Sequence, residues 1–235
     1  MAAPNVTEPA RPDLKEALDW IRRAAENGYA DAEFELGRAF AEGRGVPQSF
    51  TESARWYRRA AEQGHPAAET ALAGLLESGQ GAPSNPAEAV EWYRRAAEHG
   101  HGEAQYRLGL LHAKGLAGEP QFGEAAAWYR RAAEQDHARA QLGLGSLYFL
   151  GLGVAQDYLA AHMWLNLAAA RLPPGQELDQ ALALRNRIAK VLTPAHLIEA
   201  QRMARAWQGK RKASASQGVD PVQLASGADD ESTGE

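Results

Sequence analysis

The chain has 235 residues, of which 45% are hydrophobic and 23% charged, and its formal net charge is −5. This acidic balance argues against a surface built to hold nucleic acid or anionic lipid, so we expect neither as a partner. There is no cysteine, which excludes disulfides, thiolate zinc sites and a cysteine nucleophile.

The amino-terminal residues, Met1 to Lys15, contain no basic stretch followed by an apolar run, so the sequence predicts no secretory signal. Every apolar run ends well before the ~20 residues that a membrane-spanning helix needs. We therefore expect a cytoplasmic protein that does not cross a membrane.

The tryptophans reveal an internal repeat, because five of the six are spaced 36 residues apart: Trp20, Trp56, Trp92, Trp128 and Trp164. Around the first four, the sequence reads Trp, then Ile or Tyr, then Arg-Arg-Ala-Ala-Glu. A fixed period of this length is typical of solenoid proteins. We predict that these tryptophans form part of the core between repeats.

Each repeat is predicted to contain two helices, A and B. Helix A begins with a short polar cap followed three residues later by glutamate, at Asp13, Ser49 and Asn85. It ends at residues that suit a left-handed backbone: Gly28, Gly64, Gly100 and Asp136. Helix B carries an apolar stripe whose central residues are Leu36, Leu72, Leu108 and Leu144.

The two ends of the chain differ from the repeats. We predict disorder for residues 1–12, four to five repeats over residues 13–170, a divergent helix plus a capping helix over residues 171–208, and a disordered tail over residues 209–235. Thr193-Pro194 begins the capping helix, and Trp207 closes its apolar stripe. A solenoid needs such a lid over its last apolar face.

The chain resembles the Sel-one-like repeat (SLR) family, a relative of the tetratricopeptide repeats, over roughly Asp13 to Ala170. The resemblance lies in the Trp-Tyr-Arg-Arg-Ala-Ala-Glu helix, the Leu-Gly pairs of helix B (Leu36-Gly37, Leu108-Gly109) and the Gly-x-Gly-Val turns ending at Val46 and Val154. Ala73 departs from the pattern where glycine is expected. The resemblance implies an all-α fold: a right-handed α/α superhelix of 36-residue helix pairs, with helix B lining the concave side.

The concave side is where a partner is expected, at the positions beside and one turn after the Leu-Gly pair. These positions carry Phe34, Arg38, Thr70, Gly74, Tyr106, Leu110, Leu142 and Ser146. They vary from repeat to repeat, whereas the buried stripe does not. The alternative is that these side chains are partly buried between helices.

Candidate chemistry is sparse. His65, His101 and His137 occupy equivalent positions at the start of helix B, which suits a repeated structural contact near a helix terminus. Equivalent positions in successive repeats lie about 10 Å apart, too far for one zinc ion with bonds of ~2 Å. No nucleotide-binding or hydrolase motif is present, so we expect no catalytic residue, no metal and no cofactor.

Paired arginines form a ladder of positive charge: Arg22/Arg23, Arg58/Arg59, Arg94/Arg95 and Arg130/Arg131. One interpretation is a groove for acidic peptides. The favoured alternative is salt bridging with a glutamate three and four residues later on the same helix, at Glu26, Glu62, Glu98 and Glu134.

The sequence therefore predicts a non-enzymatic scaffold or adaptor that holds a protein or peptide partner in its groove. The alternative is a solenoid that binds a small molecule, cell wall or antibiotic with weak hydrolase-like activity; an export signal or a carboxylate-rich pocket would favour it. A monomer is expected, with self-association through the tail or the terminal helices as the other option.

Overall fold

The computed structural model describes residues 14–115 and 119–217, and over those residues it contains eleven α-helices and no strand. The all-α prediction is confirmed. The helices are α1 Leu14–Glu26, α2 Ala30–Glu42, α3 Phe50–Glu62, α4 Pro66–Ser78, α5 Pro86–Glu98, α6 Gly102–Lys114, α7 Phe122–Glu134, α8 Ala138–Leu150, α9 Tyr158–Ala169, α10 Gln176–Ala189 and α11 Pro194–Gln217. They form two compact units, unit 1 within Met1–His101 and unit 2 within Gly102–Glu235.

The predicted helix starts follow from side-chain capping. Ser49 Oγ accepts a hydrogen bond from the Glu52 backbone N–H at 3.3 Å, and Asn85 Oδ1 accepts one from Glu88 in the same way. Each cap satisfies a backbone donor that the first turn of a helix leaves without a partner. The equivalent cap predicted at Asp13 lies outside the described residues.

The predicted end of helix A at Asp136 is also found. Asp136 has a φ of +66°, the one left-handed residue other than glycine in the described part of the chain. A short polar side chain tolerates this conformation better than most. The aspartate therefore closes α7 as glycine closes α1, α3 and α5.

The Gly-x-Gly turns are sites of close backbone approach. At Gly81, which has a φ of +77°, a Cβ atom would lie 2.2 Å from the Phe50 carbonyl oxygen. At Gly153, with a φ of +69°, it would lie 2.2 Å from the Phe122 carbonyl carbon. These turns require glycine because they pack against the start of the preceding A helix, which gives them a structural role.

The apolar stripe of helix B is buried. Leu36, Leu72, Leu108 and Leu144 are at most 1% exposed. Beside them, Gly37 lets helix B approach the next helix A, because a Cβ there would lie 2.7 Å from Tyr57 Cδ1. Gly109 faces Tyr129 at the same distance. The Leu-Gly signature thus encodes a leucine core with a tyrosine ring against the glycine.

The tryptophans do not share one environment. Trp56, Trp92 and Trp164 are buried, and Trp128 is half-buried. The prediction that Trp20 belongs to the core is wrong, since its side chain is 70% exposed. Among the described residues, no helix covers the side of α1 that carries Trp20, so the ring is exposed.

The last helices close unit 2. In α11, Ala200 and Ala204 are buried, and the Trp207 ring meets Trp164 of α9 edge-on at 5.2 Å between centroids. The helix continues to Gln217 instead of ending before Gly209, where the sequence predicted a disordered tail; Lys, Arg and Ala in this stretch favour helix. The rest of that predicted tail and residues 1–12 lie outside the described residues.

None of the helices described here has the length and hydropathy that a bilayer crossing requires.

Candidate binding surface

In unit 1 the predicted surface residues lie on α2 and α4 and are half-buried. The Phe34 ring stacks on His65, with 4.8 Å between the ring centroids and 22° between their planes. The Arg38 guanidinium lies 5.8 Å from the centre of the Phe34 ring and pairs with Glu35. In unit 1 an aromatic side chain therefore stacks on a histidine and lies next to an ion pair.

Unit 2 repeats this arrangement with different side chains. Tyr106 stacks on His137 with 4.7 Å between ring centroids, and it lies 6.0 Å from Tyr129. Leu110, one turn later, is half-buried against the core of this unit. In both units an aromatic ring thus stacks on a histidine, but the ring is phenylalanine in unit 1 and tyrosine in unit 2.

Leu142 does not belong to the open surface. Its side chain is only 7% exposed, and it packs with Leu165 of α9 and Ile188 of α10. The prediction failed here because α10, which diverges from the repeat, covers this part of α8. Ser146, one turn later, is half-buried, and its Oγ donates to the Leu142 carbonyl at 2.8 Å.

Two of the three histidines at the start of helix B, His65 and His137, cap their helices, which is a structural contact at a helix terminus. The Nδ1 atoms of His65 and His137 each accept from the backbone N–H three residues later at 3.2 Å. A ring that accepts at Nδ1 carries its proton on Nε2. That atom faces Asp31 at 3.2 Å in His65 and Glu103 at 2.9 Å in His137. The equivalent His101 instead places Nδ1 2.9 Å from Thr70 Oγ1.

Ion pairs surround Tyr106. Arg107 Nε donates to Glu103 Oε1 at 2.7 Å, and Arg139 Nε donates to Glu177 Oε2 at 2.9 Å. Burial raises the pKa of Tyr106, and the nearby Glu177 carboxylate raises it further. An aromatic centre with a charged rim is the usual anatomy of a protein-binding patch.

The carboxylate of Glu103 is held in its charged form. Burial on its own would raise its pKa, but hydrogen bonds from His137 and Arg107 outweigh burial and lower the pKa from 4.5 to about 2. The negative charge on this rim is therefore fixed over the whole physiological pH range.

Several arginines of the ladder form salt bridges in unit 1, but their partners differ from those expected. Arg59 Nη2 lies 2.8 Å from Glu33 Oε1, and Arg95 Nε lies 3.4 Å from Glu69 Oε1. Both glutamates are on the preceding helix B and are at most 1% exposed. Each of these arginines also lies over the tryptophan of its own helix, at 4.7 Å and 4.5 Å from the ring centre. The ladder in unit 1 therefore joins neighbouring repeats.

These buried glutamates were not singled out in the sequence. The signal that would reveal them is a polar residue recurring every 36 positions three residues before the core leucine: Glu33, Glu69, Gln105 and Gln141. All four are buried. Unit 1 carries the acid at this position and unit 2 carries the amide.

Unit 2 also contains an open cleft of about 610 Å³, lined by Arg130, Tyr148, Val154, Ala155, Gln156, Asp157, Tyr158, Leu159, Leu192 and His196. Asp157 is the acidic residue of this lining, and its Oδ1 accepts from the Ala160 backbone N–H at 3.0 Å as the cap of α9. Among the side chains described, no group of three or more His, Asp or Glu is arranged to hold a metal ion.

Similarity to known proteins agrees with the repeat pattern. The chain is similar to a Sel1 repeat protein from Oxalobacter formigenes, with 37% identity and a TM-score of 0.66 over 73% of this chain and 49% of that one. It is also similar to a protective antigen of uropathogenic Escherichia coli that displays an SLR fold, with 27% identity and a TM-score of 0.57 over 84% of this chain and 49% of that one. The chain thus spans about half the length of these two structures.

No curated protein matches the chain. The family model described as the Sel1 repeat matches residues 8–29, 30–65, 66–101, 102–137 and 138–171. These segments cover most of the chain, and their boundaries follow the 36-residue period. The chain belongs to the Sel1 repeat family.

Proposed function

We propose that the protein is a non-enzymatic scaffold that holds a peptide or protein segment against the exposed side of its B helices. Sel1 repeat proteins typically act in protein–protein interaction, and they are generally non-catalytic. The proposal assigns the contact to Phe34, Arg38 and Thr70 in unit 1 and to Tyr106, Leu110 and Ser146 in unit 2.

The observation that supports it is that the surface positions of helix B vary from repeat to repeat, whereas the core leucines do not. Two residues before the first three core leucines, the chain has Phe34, Thr70 and Tyr106, while the leucines themselves do not change. The aromatic side chains at this position are half-buried, and the histidine behind each of them restricts its motion. A rigid aromatic residue loses little entropy on binding, which makes it a good anchor for a partner.

The alternative, a solenoid that binds a small molecule or hydrolyses one, needs a polar pocket rich in carboxylates. The cleft of unit 2 does not have this character, because its one lining carboxylate, Asp157, caps a helix. No specific observation favours this alternative.

The test is selection of binding peptides from a random library displayed on phage, followed by calorimetric titration of the enriched peptides. We expect Tyr106→Thr, which installs the side chain of Thr70, to weaken binding by about tenfold or more, as loss of an anchor does. Arg38→Ala should weaken the binding of peptides that contact unit 1.

The matched control is Arg94→Ala on the exposed side of α5, which should bind as the wild type does. Circular dichroism melts should show the same helical content for all variants. Enriched peptides whose affinity is the same for wild type, Tyr106→Thr and Arg38→Ala would place the contact elsewhere and contradict the proposal.

A further inference from the structure

Four exposed residues form a stripe along α1 and the residue that follows it, and we call them the α1 stripe: Glu16, Trp20, Arg23 and Asn27. Their spacing of four, three and four residues places them on one face of the helix. Trp20 is 70% exposed at the centre of this face, with the Arg23 guanidinium 5.8 Å from its ring centre. Aromatic side chains are enriched at protein–protein interfaces relative to the rest of the surface, which singles out this face.

The same stripe in the second repeat is an interface. Trp56 is buried in one cluster with Leu36 of the preceding helix B. Arg59 pairs with Glu33 at 2.8 Å, and Gln63 Nε2 donates to the other oxygen of that carboxylate at 2.7 Å. The residues equivalent to Trp20, Arg23 and Asn27 therefore all contact the helix pair before them.

A second exposed aromatic residue lies on the same side of unit 1. Tyr29 is 66% exposed, and its equivalent in the next repeat, His65, stacks on Phe34 of the preceding helix B. Both large exposed aromatic residues of unit 1 thus occupy positions that contact a preceding helix pair when one is present. The side of α1 and α2 that carries Trp20 and Tyr29 has the composition of an interface.

We propose that a second copy of this chain covers the α1 stripe, forming a two-fold symmetric dimer through antiparallel α1 helices. The charges along the stripe favour this occupant, because Glu16 lies four residues before Trp20 and Arg23 three residues after it. A two-fold axis beside Trp20 stacks the two indoles and brings Arg23 opposite Glu16 of the partner subunit. In such an isologous contact each complementary pair forms twice.

A head-to-tail arrangement is disfavoured by the end of unit 2. There the outer side of α9 is already covered by α11, whose Trp207 packs edge-on against Trp164 at 5.2 Å. A second copy would have to displace α11 to stack its α1 on that surface. The α1 stripe can meet another α1 stripe without displacing any described helix.

The experiment is sedimentation equilibrium of the full chain over a dilution series. The wild type is expected to shift from monomer to dimer as its concentration rises, and Trp20→Ala to remain monomeric. Arg23→Glu and Glu16→Arg should each weaken the dimer about tenfold or more, because each reversal turns two attractions into two repulsions. An equimolar mixture of these two variants should dimerise as the wild type does, since the hybrid dimer restores both pairs.

The control is Arg55→Glu, a charge reversal at an exposed position of α3, which should dimerise normally. Circular dichroism melts at low concentration should show that every variant folds. A wild type that stays monomeric, a dimer that Trp20→Ala leaves intact, or a mixture no better than either charge variant alone would overturn the proposal. The first outcome would point to a different occupant of the stripe.

Discussion

Glu33 and Glu69 are buried carboxylates in a core otherwise made mostly of leucine, alanine and aromatic residues. A charge in such a place is tolerated only when it is paired, because desolvation alone would cost several kcal/mol. In both cases the partner is the second arginine of the Arg-Arg pair in the next repeat, Arg59 for Glu33 and Arg95 for Glu69. These two buried glutamates therefore hold neighbouring repeats in register.

The pairing of Glu103 with His137 and Arg107 predicts a specific acid sensitivity. Its pKa is about 2 in the folded protein, below the 4.5 of a free side chain, so its contribution to stability is complete above pH 4.5 and is lost as the pH falls toward 2. We expect Glu103→Gln to be less stable than the wild type at neutral pH and to lose less stability between pH 4.5 and 2. Urea unfolding at a series of pH values measures both effects.

The control for this measurement is Glu91→Gln, at an exposed carboxylate on α5. It should follow the wild-type pH dependence. Parallel curves for wild type and Glu103→Gln across the acid range would contradict the assignment of this charge to folding stability.

The single residues that the sequence identified correctly are those whose role depends on local spacing. Ser49 and Asn85 cap their helices, and Asp136 ends one, because these functions need only a few neighbouring residues. Trp20 and Leu142 were assigned wrongly because their burial depends on which other helices lie nearby. Spacing within a repeat cannot show whether another helix lies against the Trp20 side of α1 or whether a divergent helix covers α8.

At the scale of the helices, the closest packing joins each helix B to the helix A that follows it. Gly37 meets Tyr57, and Gly109 meets Tyr129, with no space for a methyl group between them. Glycine in the middle of a helix costs up to about 1 kcal/mol relative to alanine, so it persists where close packing offsets that cost. Ala73 replaces it in the second helix B and is itself fully buried.

This packing predicts opposite results for two glycine substitutions. Gly37→Ala should destabilise the protein by about 1–3 kcal/mol, because the new Cβ would lie 2.7 Å from Tyr57. Gly74→Ala should stabilise it by about 0.5–1 kcal/mol, because its Cβ would lie 3.6 Å from Tyr93 Oη, an ordinary contact. Thermal or urea unfolding of the two variants checks the signs, and a shared sign would contradict this account.

The two helices of each repeat were predictable, whereas the partners of the arginines were not. A period of 36 residues and an apolar stripe specify helices A and B without reference to the rest of the fold. Arg59 has Glu62 three residues along its own helix, and the sequence favoured that pairing. In the structure Arg59 pairs with Glu33 instead. Glu33 is buried in the neighbouring helix, and a buried carboxylate without a cation costs more free energy than an exposed one.

At the scale of the whole molecule, each unit is built from similar repeats, and the carboxy-terminal repeat is completed by a helix of different sequence. In unit 2 that helix is α11, which places Met203, Ala204 and Trp207 over the core that contains Trp164. A repeat protein needs such a helix because its last apolar face would otherwise meet water.

We expect Trp207→Ala to destabilise unit 2 by about 2 kcal/mol, less than loss of a fully buried tryptophan because the side chain is half-buried. Native-state hydrogen exchange should then speed up in α9 and α11 while the amides of α2 and α3 in unit 1 keep their protection. Arg205→Ala, on the exposed side of α11, is the control. Equal acceleration in both units would show that the effect is not local to unit 2.

The salt bridge between Glu33 and Arg59 also determines how this chain can gain or lose copies of its repeat by recombination. The equivalent acid and base recur 36 residues later as Glu69 and Arg95, so inserting or deleting one whole repeat leaves each buried acid of unit 1 facing an equivalent arginine. We therefore expect a change of one whole repeat in unit 1 to be tolerated. A deletion of half a repeat that removes α3 should misfold, because Glu33 would lose its arginine.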